Sequence, residues 1–255
     1  PHRPPHFHAL GPRAMVKAVW TVDRLLAEVS GNFDFLLALT PVNTEAAWSD
    51  FRRSRFEAEP EFRYRPIPMD PGLLKRRLFD APLERIEDPT LADLFRTQQF
   101  EIERKLTLLA DRNTPHFVFG SLQLFGSIDA DLVRRAGDML NHLPPGRDDG
   151  RKGYLDATAF AARATEELDY LKLTHPEVTS KVQVRSDIAG LMVSRGNLLV
   201  GKGTRVPAGR VNAALAHEVG THIVTYINGS AQPFRQMYVG LPGYEDLQEG
   251  LAVLA

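Results

Sequence analysis

Two stretches of this chain bring together residue types that bind a transition metal and move protons: His217-Glu218-Val219-Gly220-Thr221-His222 and Gln248-Glu249-Gly250-Leu251-Ala252. Two imidazoles and a carboxylate from the second stretch would supply the two-His, one-Glu set that holds catalytic zinc and leaves a fourth position for water. A Glu directly after the first His sits beside such an ion rather than on it. Glu218 could therefore take a proton from the water and return one to a leaving group. The chain contains no Cys, so disulfides and thiolate ligands are excluded and only nitrogen and oxygen donors remain.

The spacing differs from H-E-x-x-H, in which the two His lie four apart on one helix face. Five residues at about 100° each would put His217 and His222 roughly 140° apart on a regular helix, too far round to share an ion. A π-type turn, which winds more residues into each turn and recurs at functional sites, would bring them back together. A wide turn is therefore expected from Glu218 to His222, with Gly220 weakening the regular helix between the two His. By composition alone an H-E-x-x-x-H occurs in such a chain with a chance of roughly one in seventy, so the motif needs its context. That context is helical: Val211, Leu215, Val219 and Ile223 recur at near-helical spacing and predict one buried side.

The elements that would carry this site fall into two groups. Val16 to Val29, Leu91 to Ala110, Ala130 to Leu143 and Ala157 to Leu173 show helical spacing of apolar residues. Turn clusters Asn113-Thr114-Pro115 and Pro144-Pro145-Gly146 separate them, and no internal repeat is present. Glu59 to Pro68 is too rich in proline for a helix and reads as an extended connector. From Val182 the pattern turns to short strands, Val182–Arg185, Leu191–Ser194 and Asn197–Val200, the last two joined through Arg195-Gly196 as a hairpin. Leu191–Ser194, with Met192 and Ser194, could pair with an extended substrate backbone as an edge strand; a plain core hairpin fits the same residues.

From Asp187 to Leu254 the chain resembles the bacterial flavohemoglobin expression-modulating QEGLA-motif proteins, of the same superfamily as the eukaryotic microtubule-associated tyrosine carboxypeptidases. The matching stretches are Gly190-Leu191-Met192-Val193-Ser194, the His217 to His222 motif, Asn228-Gly229 followed by Gln232-Pro233-Phe234, and Gln248 to Ala252, with a weaker echo at Thr40-Pro41-Val42-Asn43. The eukaryotic members carry Thr-Glu-Glu-Gly-Leu-Ala in place of the last of these. The resemblance implies a zinc carboxypeptidase in which His217, His222 and Glu249 bind one zinc ion and Glu218 is the base, acting on the C-terminus of a peptide or protein. It does not imply tubulin as the substrate. The fold expected is α+β, mostly helical, with a small mixed or antiparallel sheet beside the zinc-binding helix in a gluzincin-like arrangement. Residues 1–14 would be an irregular segment and 15–255 a single metallopeptidase-like domain, helical over 15–176, with the strand hairpin and zinc helices over 180–255.

A carboxypeptidase also needs a cation for the terminal carboxylate, for which Arg gives the best bidentate geometry. Lys202, Arg205, Arg210 and Arg235 flank the motif helix, and Arg205 and Arg210 are the candidates named for substrate binding. A tetrahedral intermediate needs a donor for its oxyanion. Tyr226, Tyr238 and Tyr244 are near in sequence, and Tyr244, shortly before Glu249, ranks first.

The remaining sequence narrows the function classes. In 255 residues, 31 basic and 32 acidic side chains nearly cancel, which calls for neither nucleic acid nor a membrane surface. The basic, aromatic stretch from Arg52 to Arg77 is interrupted by Glu57, Glu59, Glu61 and Asp70 and reads as a solvated face. No apolar run approaches the roughly 18 residues of a membrane span, and no signal peptide is apparent, so a soluble cytoplasmic protein is the expectation. The start at Pro1 and the end at Ala255 inside an apolar helical run suggest a polypeptide that continues. The His-containing tract Pro1 to His8 reads as irregular, and His116, His142 and His175 lack ligand spacing. Two other classes remain possible: a regulatory protein with structural zinc, and a zinc hydrolase of non-peptide amides. Oligomeric state is not legible.

Overall fold

The structure, a computed structural model, describes residues 13–143 and 153–255. The tract Pro1 to His8 and the turn Pro144-Pro145-Gly146 lie outside the described residues. The first region is helical: α1 (Arg13–Gly31), α2 (Phe35–Leu39), α3 (Thr44–Arg53), α4 (Pro71–Phe79), α5 (Pro89–Ala110), α6 (Phe117–Phe125) and α7 (Ala130–His142). The long helices match the apolar spacing read from the sequence to within a few residues. Helices α4 and α5 start where an Asp accepts from the first turn and a Pro opens the helix, at Asp70-Pro71 and Asp88-Pro89, because Pro has no N–H to lose there. Between α3 and α4 the chain from Ala58 to Ile67 has no regular element, as its prolines dictate.

Val19, Val22, Leu26, Leu78, Phe95, Ile102 and Leu106 form the first core, between α1, α4 and α5. Composition over Lys17–Arg53 passes a length and hydropathy test for a membrane span, but that stretch is broken into α1, α2 and α3 by irregular links at 32–34 and 40–43. No continuous helix of that length exists there.

The second region runs β1 (Tyr154–Asp156), α8 (Ala157–Thr174), β2 (Val182–Arg185), β3 (Leu191–Ser194), β4 (Asn197–Gly201), β5 (Arg205–Pro207), α9 (Val211–Leu215), a π segment (Ala216–Ile223), α10 (Val224–Ser230), α11 (Gln236–Val239) and α12 (Tyr244–Leu254). The sheet is mixed: β4 lies in the middle, parallel to β2 and antiparallel to β3, so β3 is an edge strand. At the β3–β4 turn Arg195 has φ 49° and Gly196 φ 72°, the two left-handed residues of a type I′ hairpin whose twist matches its strands. Strands β1 and β5, a two-stranded antiparallel ribbon, were not anticipated; three residues each carry too little alternation to be seen.

Val211, Leu215, Val219 and Ile223 are all buried against Phe160, Ala164, Leu198 and Val200 in a second core, as their spacing predicted. Contacts at several places tie the two regions together, among them the following two. Asp23 of α1, 2% exposed, accepts from the backbone N–H groups of Arg235 (3.0 Å) and Gln236 (3.2 Å), and Trp20 stacks on Phe234 at 4.8 Å. Arg65 donates to the Asp187 carboxylate (2.8 Å) and to the carbonyls of Leu37 (2.8 Å) and Thr40 (3.0 Å).

Candidate metal centre and cleft

The π segment does what the five-residue spacing demanded. Bonding shifts from i+4 to i+5 between Ala216 and Ile223, which overlays residues five apart. The His217 and His222 rings consequently lie 4.9 Å apart, centroid to centroid. Gly220 is exposed and a Cβ there would meet nothing within 4 Å, so its contribution is weak helix propensity rather than space.

Helix α12 packs across this segment and brings the third donor. Glu249 Oε2 lies 3.7 Å from His217 Nε2 and Glu249 Oε1 lies 3.6 Å from His222 Nε2. One ligand atom from each of the three residues falls within 4.8 Å of the others. Donors bonded tetrahedrally to zinc at about 2.0–2.2 Å stand roughly 3.3–3.5 Å apart, so the set fits an ion with small adjustments of side chains that are only partly buried. His217 Nδ1 lies 3.1 Å from the carbonyl of Ala252. That contact fixes the tautomer and leaves Nε2 for the metal, the role usual for the second nitrogen of a ligating His. A single helix thus supplies both a donor, Glu249, and the carbonyl that orients His217.

Glu218 shares the π segment with the two His and lines the same cleft. Burial pushes its carboxyl pKa up; His222 and His217 oppose that shift, and Glu249 adds to it. A carboxylate raised in this way is a better proton acceptor than one in water.

The cleft, about 800 Å³, lies between the two cores. Its walls are α1, α2 and α5 on one side and β3, the β3–β4 turn, the π segment and α12 on the other. Met192 and Ser194 line it, and Ser194 donates its hydroxyl to Asp34. Tyr226, Tyr238 and Tyr244 line it too. The Tyr244 phenol is pushed up to about 12 by burial, and then by Glu245, Glu101 and Glu249 around it. It is therefore a neutral donor at any working pH. Gly240, at φ 107°, is the only residue type that fits against the Tyr244 ring, since a Cβ there would overlap it.

Arg205 and Arg210 do not line the cleft. Arg205 sits on β5 with its guanidinium 4.8 Å from the centre of the Tyr154 ring, and Arg210 closes the 3₁₀ turn before α9. The cations that do line it are Lys105 and Arg195. Sequence reasoning missed both, along with Asp34. Lys105 meets Glu245 from 140 positions away, a pairing with no local signature. Arg195 was visible only as a turn residue.

A two-His, one-carboxylate group that could hold a metal ion thus lies beside a partly buried Glu in a cleft of about 800 Å³. The chain belongs to the microtubule-associated tyrosine carboxypeptidase family, whose family model matches residues 49–255. Membership points to a carboxypeptidase-type hydrolase with a peptide or protein substrate. No curated protein and no solved structure matches the chain.

Proposed function

We propose that the protein is a zinc-dependent carboxypeptidase, with a gluzincin-like pairing of an edge strand and a metal-bearing helix, that releases the C-terminal residue of a peptide or protein. The observation that carries this reading is the convergence of His217, His222 and Glu249 within 4.8 Å, with Glu218 beside them on the same π segment. Zinc bound there would lower the pKa of a coordinated water and polarise the scissile carbonyl. Glu218 accepts the proton of the attacking water and passes it to the departing amine. Tyr244, held neutral, donates to the oxyanion. The edge of β3 left unpaired among the described residues offers the backbone groups of Leu191 and Val193 to the extended substrate, with the Met192 and Ser194 side chains lining the cleft beside it.

A structural zinc site has no use for a base beside the metal, and Glu218 is what separates this reading from a purely regulatory zinc protein. The test is Glu218→Gln, assayed on peptides ending in tyrosine, the residue that the family's description names. The substitution keeps shape and volume and removes the proton-accepting carboxylate, so it should retain metal while turnover falls by several orders of magnitude. A Glu218→Gln protein with wild-type turnover would contradict the proposed role.

A further inference from the structure

Of the two cationic side chains that line the cleft among the described residues, only one is available to an anion. Lys105 lies 2.5 Å from Glu101 and 3.4 Å from Glu245, with its ammonium 5.7 Å from the centre of the Phe35 ring. Two carboxylates already outnumber its single charge. Arg195 has no carboxylate within 4.0 Å among the described residues. Its guanidinium donates from Nη2 to the Gly31 carbonyl at 3.0 Å, which anchors one corner and leaves the remaining N–H groups of the fork.

The backbone beneath it is held on three sides. Residues 195 and 196 occupy the paired left-handed positions of the hairpin turn. Gly196 lies under the Tyr226 ring so closely that a Cβ would overlap it, and the preceding Ser194 is bonded to Asp34. A planar donor fork on a fixed turn, at the end of an edge strand that faces the cleft, is preorganised for a carboxylate.

We propose that Arg195 binds the α-carboxylate of the residue to be released and so sets the preference for free C-termini. This rests on the carboxypeptidase reading above. The carboxylates of Asp34, Glu218, Glu245 and Glu249 share the cleft, so without a cation an incoming carboxylate would meet only like charge.

The experiment compares peptides of one sequence ending in a free carboxylate or a carboxamide, with zinc content measured on each protein. Wild type should favour the free acid. Arg195→Ala should raise KM for the free acid by about tenfold to a hundredfold, change kcat less, and collapse the acid-to-amide ratio. Arg195→Lys should restore part of that ratio, and Lys105→Ala should leave it standing. If Arg195→Ala lost zinc, the ratio measured on Arg195→Lys would decide, a partial fall supporting the proposal and an unchanged ratio overturning it. An acid preference that survives in zinc-loaded Arg195→Ala overturns the assignment alone. A zinc-loaded wild type that cleaves acid and amide alike overturns the carboxypeptidase reading and this assignment together.

Discussion

The helical region around Phe95 and Ile102 and the region around Phe160 and the π segment bury comparable cores, yet they use the backbone differently. In the first, the long helices keep ordinary bonding, and their apolar residues follow a 3.6-residue period with Asp caps at the expected places. In the second, regular geometry is abandoned at the site itself: a π segment under the His, and an Arg195-Gly196 turn with positive φ beside the cleft. Positive φ also occurs in the first region, at Arg55, Phe56 and Asn113, but in turns that do not line the cleft, whereas the second region's departures sit where side chains must be aimed. The first region is thus wall and scaffold, while the second places its irregularities beside the chemistry.

That division predicts different consequences for equal damage. Phe95 and Phe160 are both almost fully buried, so Phe95→Ala and Phe160→Ala should each cost about 3–5 kcal/mol of stability. Phe160 packs in the same core as Val219 and Ile223 of the π segment. Its loss should therefore also weaken zinc affinity measured with a competing chelator, and the loss of Phe95 should do so far less. Equal losses of affinity would erase the distinction between scaffold and site.

The Arg65–Asp187 tie should respond to pH. Hydrogen bonds from Arg185, and then from Arg65, hold the Asp187 carboxyl well below the usual carboxylate range. A depressed folded-state pKa stabilises the fold above the unfolded value of about 3.9 and loses that contribution as pH falls through the folded value. In thermal melts, wild type should exceed Asp187→Asn at neutral pH, and the gap should narrow as pH falls below about 4. A gap that stays constant to low pH would mean that the carboxylate charge is not what ties the regions. The smallest effect is expected at Gly220. With open space around it, Gly220→Ala should change Tm little and leave bound metal unaltered, unless the alanine favours regular i+4 bonding strongly enough to unwind the π turn.

Much of this was legible in the sequence because the signals were local. The spacing of Val211, Leu215, Val219 and Ile223 marked the buried face. The extra residue between His217 and His222 demanded a wide turn, and Arg195-Gly196 marked the hairpin. What escaped was set by contacts between distant positions. The ribbon of β1 and β5 is too short to carry a pattern, and Lys105 gains its second partner, Glu245, only when α5 and α12 meet. Arg205 and Arg210 looked eligible because they lie near the motif along the chain. In three dimensions Arg205 faces Tyr154 instead, so proximity in sequence was a poor guide to the cleft.

Elemental analysis of purified wild type beside His217→Ala and Glu249→Ala tests most directly whether three side chains from two elements hold one zinc ion. About one zinc per wild-type chain, lost or strongly reduced in both variants, is the expected result. Metal-free wild type after zinc addition, or variants that keep a full equivalent, would contradict that arrangement.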